Sequence, residues 1–342
     1  MNALIKLTPK QRAEVFDATA LKLGFAITSI VEKDFWVCWI LSQLFNAEHG
    51  FGRHIVFKGG TSLSKAYAAI ERFSEDVDIT IGRELLGFDT DQHDPEKAPS
   101  ASQRKKRIEA LHAACSQWVA GELKTKLEAS TKHTLGAEGW SYEVDQRDET
   151  QLTLLFHYPS VVPAASDEEY NHRTVKIECG AKADLWPVTE KEIMPYVVAV
   201  IPDLAKSATI KVQTLNLERT FWEKATILHA EAHRPEEKAP QEKYARHYVD
   251  LAVLSSTDAG QRALRELELL KRVVSFKEAF YPSRTASYAT AKPGSFKLLP
   301  AAYHAEFLEA DYRKMRPMFF GTPLTWAEVI ARLTQLEAQI NG

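Results

Sequence analysis

The chain has 342 residues, enough for one large hydrophobic core or two modest ones. Apolar residues make up 45% and charged residues 26%, a globular composition that excludes a disordered chain. The formal net charge of −3 excludes a globally basic polynucleotide binder, so nucleic acid would need a local basic patch.

Cys38, Cys115 and Cys179 are too few and too scattered for a disulfide framework or a zinc site, which points to a reducing cytoplasm. The first residues lack an apolar signal region, and no apolar run of roughly 18 residues occurs. The sequence therefore predicts a cytoplasmic protein with no membrane segment.

Thr8-Pro9 reads as the N-cap and first residue of a helix that Gly24 can close. A second helical stretch carries Ile30, Val31, Val37, Leu41, Leu44 and Phe45 at helical spacing, up to Gly50. Inside it, Glu32-Lys33-Asp34 is a charged triplet between hydrophobics. It predicts one wet helix face, with packing near a functional pocket as the alternative.

The chain is organised around His54 to Ile81. Ile55 to Phe57 reads as a short buried strand, and Lys58-Gly59-Gly60-Thr61-Ser62 breaks it. A helix is predicted through Leu63, Ala66, Tyr67 and Ile70, and then Asp76-Val77-Asp78 leads into a strand at Ile79 to Ile81. Residues two apart on a strand point the same way, so Asp76 and Asp78 share a face. Two carboxylates there repel unless a cation lies between them, and such a pair suits Mg²⁺ with substrate phosphates. The Gly-Gly turn offers backbone N–H groups, unobstructed by Cβ, where a triphosphate can lie.

Asp89 to Ser102 is a polar loop, either a flap near the site or surface filler. A helix is predicted from Arg104 to Leu127, and its start, Arg104 to Arg107, is the densest basic cluster and a candidate for RNA phosphate contact. Strand formers gather at Ser141 to Val144, Leu152 to Tyr158, Thr174 to Cys179 and Met194 to Ile201. With the first two these give about six strands, enough for a mixed sheet with helices. Lys176 and Glu178 share one strand face.

From about Lys206 the composition turns helical. Thr214 or Asn216 can cap a helix carrying Arg219, Glu223 and Lys224, and Pro235 to Gln241 reads as a linker. Arg246, His247 and Asp250 then share roughly one face of the next helix. Ala263 to Phe280 is predicted helical, and Tyr281 to Pro300 reads as a flexible basic stretch in which Arg284, Lys292 and Lys297 could meet RNA. Pro300 opens another helix, and Thr325 to Glu328 forms a capping box for the last.

Gly59-Gly60-Thr61-Ser62, a helix, Arg72-Phe73-Ser74-Glu75-Asp76 and Asp-x-Asp ending in a hydrophobic strand resemble the polymerase-β-type nucleotidyltransferase superfamily. More narrowly, GGTSL and RFSEDVD, with VEKDFWV upstream and RTFWEKATILH and ARHYVDL downstream, resemble the AbiEii/AbiGii toxin family of nucleotidyltransferases. The resemblance covers roughly residues 30 to 255.

It implies an α+β fold: N-terminal helices over 1–50, a mixed-sheet nucleotidyltransferase core over 51–205, and a helical domain over 206–342. The last would bring Lys224 and Asp250, which match a family lysine and aspartate, to the active site. Asp76 and Asp78 would hold Mg²⁺, and Lys58, Gly59, Gly60, Thr61 and Ser62 would cradle the nucleotide. Lys224 would neutralise the triphosphate, with Asp250 holding that ammonium in place and protonated. Glu178 is the candidate third carboxylate, with Asp184 as its rival.

The implied activity moves a nucleoside monophosphate from a nucleoside triphosphate (NTP) to an acceptor hydroxyl. The enzyme would be the toxin of a toxin–antitoxin or phage-defence system acting on tRNA 3′ ends, restrained by a separately encoded antitoxin. A protein or small-molecule hydroxyl is the alternative acceptor. A catalytically silent binding module of the same fold is the reading from a different class.

Overall fold

The structure is a computed structural model that describes residues 1–25, 27–163 and 173–342. The chain divides into two compact units: residues 1–66 with 74–214, and residues 67–73 with 215–342.

The first unit is built on a sheet, with seven strands among the described residues: β1 (Ile55–Lys58), β2 (Val77–Ile81), β3 (Ser141–Val144), β4 (Thr153–His157), β5 (Thr174–Gly180), β6 (Val188–Ile193) and β7 (Ile210–Leu215). Their order is β3-β4-β5-β2-β1-β7-β6. β1 runs antiparallel to β2 and parallel to β7, and β2 runs parallel to β5, so the sheet is mixed and the fold is α+β as expected. Short apolar runs such as Ile55 to Phe57 become central strands because both of their faces are covered. Two strand expectations change. Met194 to Ile201 is a 3₁₀ turn with flanking coil, because the strand falls just before it, at β6. The chain also returns for β7 after its composition has turned helical at Lys206.

The helix Thr28–Leu44 is the unit's buried beam, with Val31, Phe35, Trp36, Trp39, Ile40 and Leu41 fully covered. Trp36 stacks on Tyr158 at 5.6 Å, and Trp39 on Phe156 at 5.4 Å. Each such ring contributes roughly 1.5–3 kcal/mol by burial. The expected wet face is absent: Glu32, Lys33 and Asp34 are all buried. Buried charges persist only when paired. Glu32 accepts from the Ser160 hydroxyl at 2.6 Å and the Val161 N–H at 2.7 Å. Lys33 pairs with Glu75. Asp34 meets Lys65 at 2.6 Å and accepts from the Tyr196 N–H at 2.7 Å. Those partners lie far off in sequence, so the triplet's periodicity reads as a surface.

The helix after the Gly-Gly turn is shorter than predicted, Gly59–Lys65. Residues 67–73 instead form a non-helical strap of the second unit. The Phe73 N–H donates to the Met318 carbonyl at 2.7 Å, and the Phe320 N–H to that of Glu71 at 2.9 Å. This backbone pairing overrides the helical spacing of Tyr67 and Ile70.

Around the strap the second unit packs helices Leu217–Ala232, Ala245–Leu254, Asp258–Ala263, Leu267–Phe280, Ala302–Lys314 and Trp326–Asn341. Thr325 and Glu328 form the capping box expected at the last. The basic stretch before Pro300 is tied down. Phe296 and Leu298 are buried, and the N–H groups of Phe296 and Lys297 donate to Asn341 at 2.9 Å and His229 at 3.0 Å. In the first unit the polar loop is also fixed. Arg83 bridges Asp94 and Glu96 at 2.7 Å each, and Arg107 donates to the Asp94 carbonyl at 2.7 Å. Among the described residues no helix is long and apolar enough to cross a membrane.

Candidate active site

β1 ends at Lys58, which pairs in register with Asp78 of β2. Gly59 follows at φ +75°, a left-handed conformation that glycine adopts without strain. A Cβ there would lie 1.9 Å from the Asp78 Oδ2, so the carboxylate occupies the space a side chain would take. Two independent facts thus require glycine.

The hydroxyls of the turn face inward. Ser62 is buried and donates to the Gly59 carbonyl at 2.9 Å. Thr61 is buried too, donating to the Ser74 hydroxyl at 2.9 Å and to the Asp76 carbonyl. The Thr61 hydroxyl thus locks the turn to the segment that carries Asp76, while the Ser62 hydroxyl closes back on the turn itself.

Val77, the first residue of β2, is fully buried, with Asp76 just before it and Asp78 just after it. The Asp76 carboxyl is pushed up to about 6, first by burial, then by Glu75 and Asp78, with Lys33 and Lys176 opposing. The pair carries like charge into a confined space. Glu178 lies beside Asp78 in the register of β2 and β5, whereas Asp184 falls past the end of β5. Among the described residues no group of three or more His, Cys, Asp or Glu converges to hold a metal ion.

The second unit holds a different charge cluster. Asp250 is fully buried. The Arg72 Nε donates to its Oδ1 at 2.8 Å and Nη2 to its Oδ2 at 2.9 Å, while the Lys224 Nζ lies 2.8 Å from Oδ2. Burial disfavours the Asp250 charge, yet Arg72 and Lys224 together hold its carboxyl well below the usual range. Lys224 moves opposite to the expectation from a dedicated aspartate. Burial pulls its pKa down, Asp250 offsets this only in part, and the positive charges of Arg72 and Arg246 lower it further. His247, 3.5 Å from the Lys224 ammonium, is held well below its ordinary value by burial and by that neighbour, and so is neutral.

Sequence reading places Arg72 in a motif string without a role, and it assigns no chemistry to Lys33. A guanidinium in the resemblance string and a charged triplet flanked by Val, Phe and Trp were the available signals. Of the basic cluster, Arg104 and Arg107 fold back onto the carbonyls of Pro95 and Asp94.

Neighbouring carboxylates of like charge thus stand on a mixed sheet beside a glycine turn. A family model, "Nucleotidyl transferase AbiEii toxin, Type IV TA system", matches residues 39–332. The chain belongs to that family of nucleotidyltransferase toxins, and membership implies a separate antitoxin. Among solved structures it is similar to MenT4, a nucleotidyltransferase toxin from Mycobacterium tuberculosis H37Rv, with 16% identity over 99% of this chain and 89% of that one. The TM-score is 0.46, a likeness that carries no argument about residues. Curated proteins gave no match.

Proposed function

We propose that this toxin uses Mg²⁺ to transfer a nucleoside monophosphate from an NTP to the 3′-terminal hydroxyl of tRNA. The observation that carries the reading is the Asp76–Asp78 pair, in which burial, then Glu75 and Asp78, lift the Asp76 carboxyl to about 6. Such a pair fits Mg²⁺, which takes hard oxygen donors and commonly one or two carboxylates plus substrate phosphates. Asp76 and Asp78 would hold the ion, which when bound supplies Lewis-acid polarisation of phosphate oxygens.

The chain's own residues supply the rest. Thr61 fixes the Asp76 backbone, and Gly59 leaves the Asp78 carboxylate its space. The acceptor oxygen forms a bond to the α-phosphorus, the bond to the bridging oxygen breaks, and pyrophosphate leaves with that electron pair. The hydroxyl proton passes to a site carboxylate, for which Glu178 stands next to Asp78. Lys58 to Ser62 form the turn assigned to the nucleotide, through backbone groups rather than hydroxyls. We assign Lys224 to the triphosphate's negative charge and Asp250 to positioning Lys224. In support, Arg72 and Lys224 carry two positive charges against the single negative charge of Asp250. The tRNA end follows from the family resemblance.

The test incubates purified protein, Mg²⁺ and each α-labelled NTP with a whole-cell extract, with Asp76→Ala as the blank. Label in the small-RNA band is expected. Label in protein or a small solute would replace the acceptor, and no label with any NTP would overturn the transfer reading.

A further inference from the structure

Glu32, Lys33 and Asp34 follow one another on the buried helix Thr28–Leu44, where successive side chains are turned by about 100°. Three consecutive charges therefore reach three different neighbours. Glu32 is taken by the loop at Ser160 and Val161. Lys33 pairs with Glu75, the residue before Asp76. Asp34 pairs at 2.6 Å with Lys65, the last residue of the helix Gly59–Lys65 that the glycine turn opens.

Two of these pairs end on the two arms of the candidate site. One arm carries Asp76 and Asp78, and the other carries the turn from Gly59 to Ser62. We infer that Lys33 and Asp34 are positioning residues. They form a brace that holds the two arms at a fixed separation, so that a cation on the first and phosphates on the second bind as one unit. The inference rests on the transfer reading above, which assigns the cation and the nucleotide to these arms.

The brace is short and stiff. One peptide bond joins Lys33 to Asp34 and sets their Cα atoms about 3.8 Å apart. On the turn side, the Asp34 Oδ1 meets the Lys65 ammonium, and its Oδ2 accepts from the Tyr196 N–H at 2.7 Å. The same ammonium lies 3.8 Å from the centre of the Tyr196 ring, which holds it from a second direction. Lys65 closes a helix of about two turns, so fixing that end fixes the glycine turn at the other. The Thr61 hydroxyl ties the arms a further time, through the Asp76 carbonyl.

Stability alone does not explain this arrangement. The Lys33, Asp34 and Lys65 side chains are only 4%, 3% and 6% exposed. Removing such charges from water offsets most of their attraction, and apolar side chains of the same volume hold a core as well or better. Ion pairs with hydrogen bonds are directional, whereas apolar contacts are not. Two of them on consecutive residues, each ending on a different arm, specify a geometry.

The test measures the coupling between nucleotide and cation, and it needs no turnover. Anisotropy of a fluorescent α,β-imido nucleoside triphosphate gives its affinity in EDTA and in Mg²⁺, and the ratio is the Mg²⁺-dependent gain. Full-length chains checked by thermal melts are compared: wild type, Lys33→Met with Glu75→Gln, Asp34→Asn with Lys65→Met, Lys33→Arg, and Glu32→Gln. Each double variant removes both charges of a pair at similar volume, and Lys33→Gln replaces the first should it not melt cooperatively. We expect a gain of about tenfold or more in wild type, within the usual range for coupled sites. It should fall to about twofold or less in each double variant, while affinity in EDTA stays within about twofold of wild type. Lys33→Arg keeps the pair with Glu75, and Glu32 is as buried as its neighbours but lies outside the brace. Both of these variants should therefore keep the wild-type gain. A double variant that keeps the gain would overturn the proposal. So would an equal loss in Glu32→Gln, which would mark a general loosening of the helix. No gain in wild type would sink the cation reading and the brace with it, whereas a wild-type gain that survives in the double variants sinks the brace alone.

Discussion

Asp250 of the second unit and Asp76 of the first are treated in opposite ways. In the second, Asp250 receives three hydrogen bonds from Arg72 and Lys224, and its charge is welcomed. In the first, Asp76 is half-buried beside Glu75 and Asp78, and its charge is penalised. A satisfied carboxylate needs nothing further and serves to hold other groups. An unsatisfied pair is stable only as far as the surrounding fold enforces it, and it gains when a cation arrives.

The largest expected effect breaks the satisfied cluster. Arg72→Met leaves Asp250 with Lys224 alone and should cost about 3–5 kcal/mol in urea unfolding. The folded Asp250 pKa lies below its unfolded value, so its contribution is complete above about pH 4 and is lost as pH falls through the folded value. In Arg72→Met the acid-side loss of stability should be shallower, which a urea series across pH checks.

Next is the tight contact behind the unsatisfied pair. Gly59→Ala puts a methyl into the Asp78 carboxylate at positive φ and should cost about 2–4 kcal/mol. Adding Asp78→Ala should recover most of this and leave the backbone strain of about 1 kcal/mol. A double-mutant cycle measures both.

The pair itself should respond with the opposite sign. Asp76→Asn should raise stability at pH 7 by up to ~2–3 kcal/mol while abolishing transfer. A raised carboxyl pKa means that the folded state binds the proton more tightly, so the wild-type penalty is full above about pH 6. The variant's advantage should therefore shrink as pH falls from 6 toward 4. The smallest effect is expected from Thr61→Val, about 1–2 kcal/mol for one lost buried hydroxyl, with a fall in kcat larger than any rise in the KM for NTP.

Much of this was legible in the sequence. The apolar Val77 between Asp76 and Asp78 marks the start of a core strand, and it is buried. The Gly-Gly break located the turn, and the caps at Thr8 and Thr325 are local enough to read directly. What escaped depends on distant partners. Lys33 looks like a helix surface until Glu75 is known to meet it, and Asp250 looks like half of an i, i+4 pair with Arg246 until Arg72 arrives from 178 residues away. The strap at residues 67–73 kept a helical spacing that backbone pairing with residues 318–320 overrode. The inward aim of Thr61 and Ser62 depends on side-chain rotamers, which no pattern encodes.

The central claim is that the Asp76–Asp78 pair is built to receive a cation with the nucleotide. Its most direct test is thermal unfolding of wild type and Asp76→Asn across a Mg²⁺ titration at pH 7.5 with a fixed concentration of non-hydrolysable NTP analogue. The account predicts that wild type starts less stable, rises with Mg²⁺, and closes the gap, while Asp76→Asn barely moves. Equal Mg²⁺-dependent stabilisation of both proteins would contradict it.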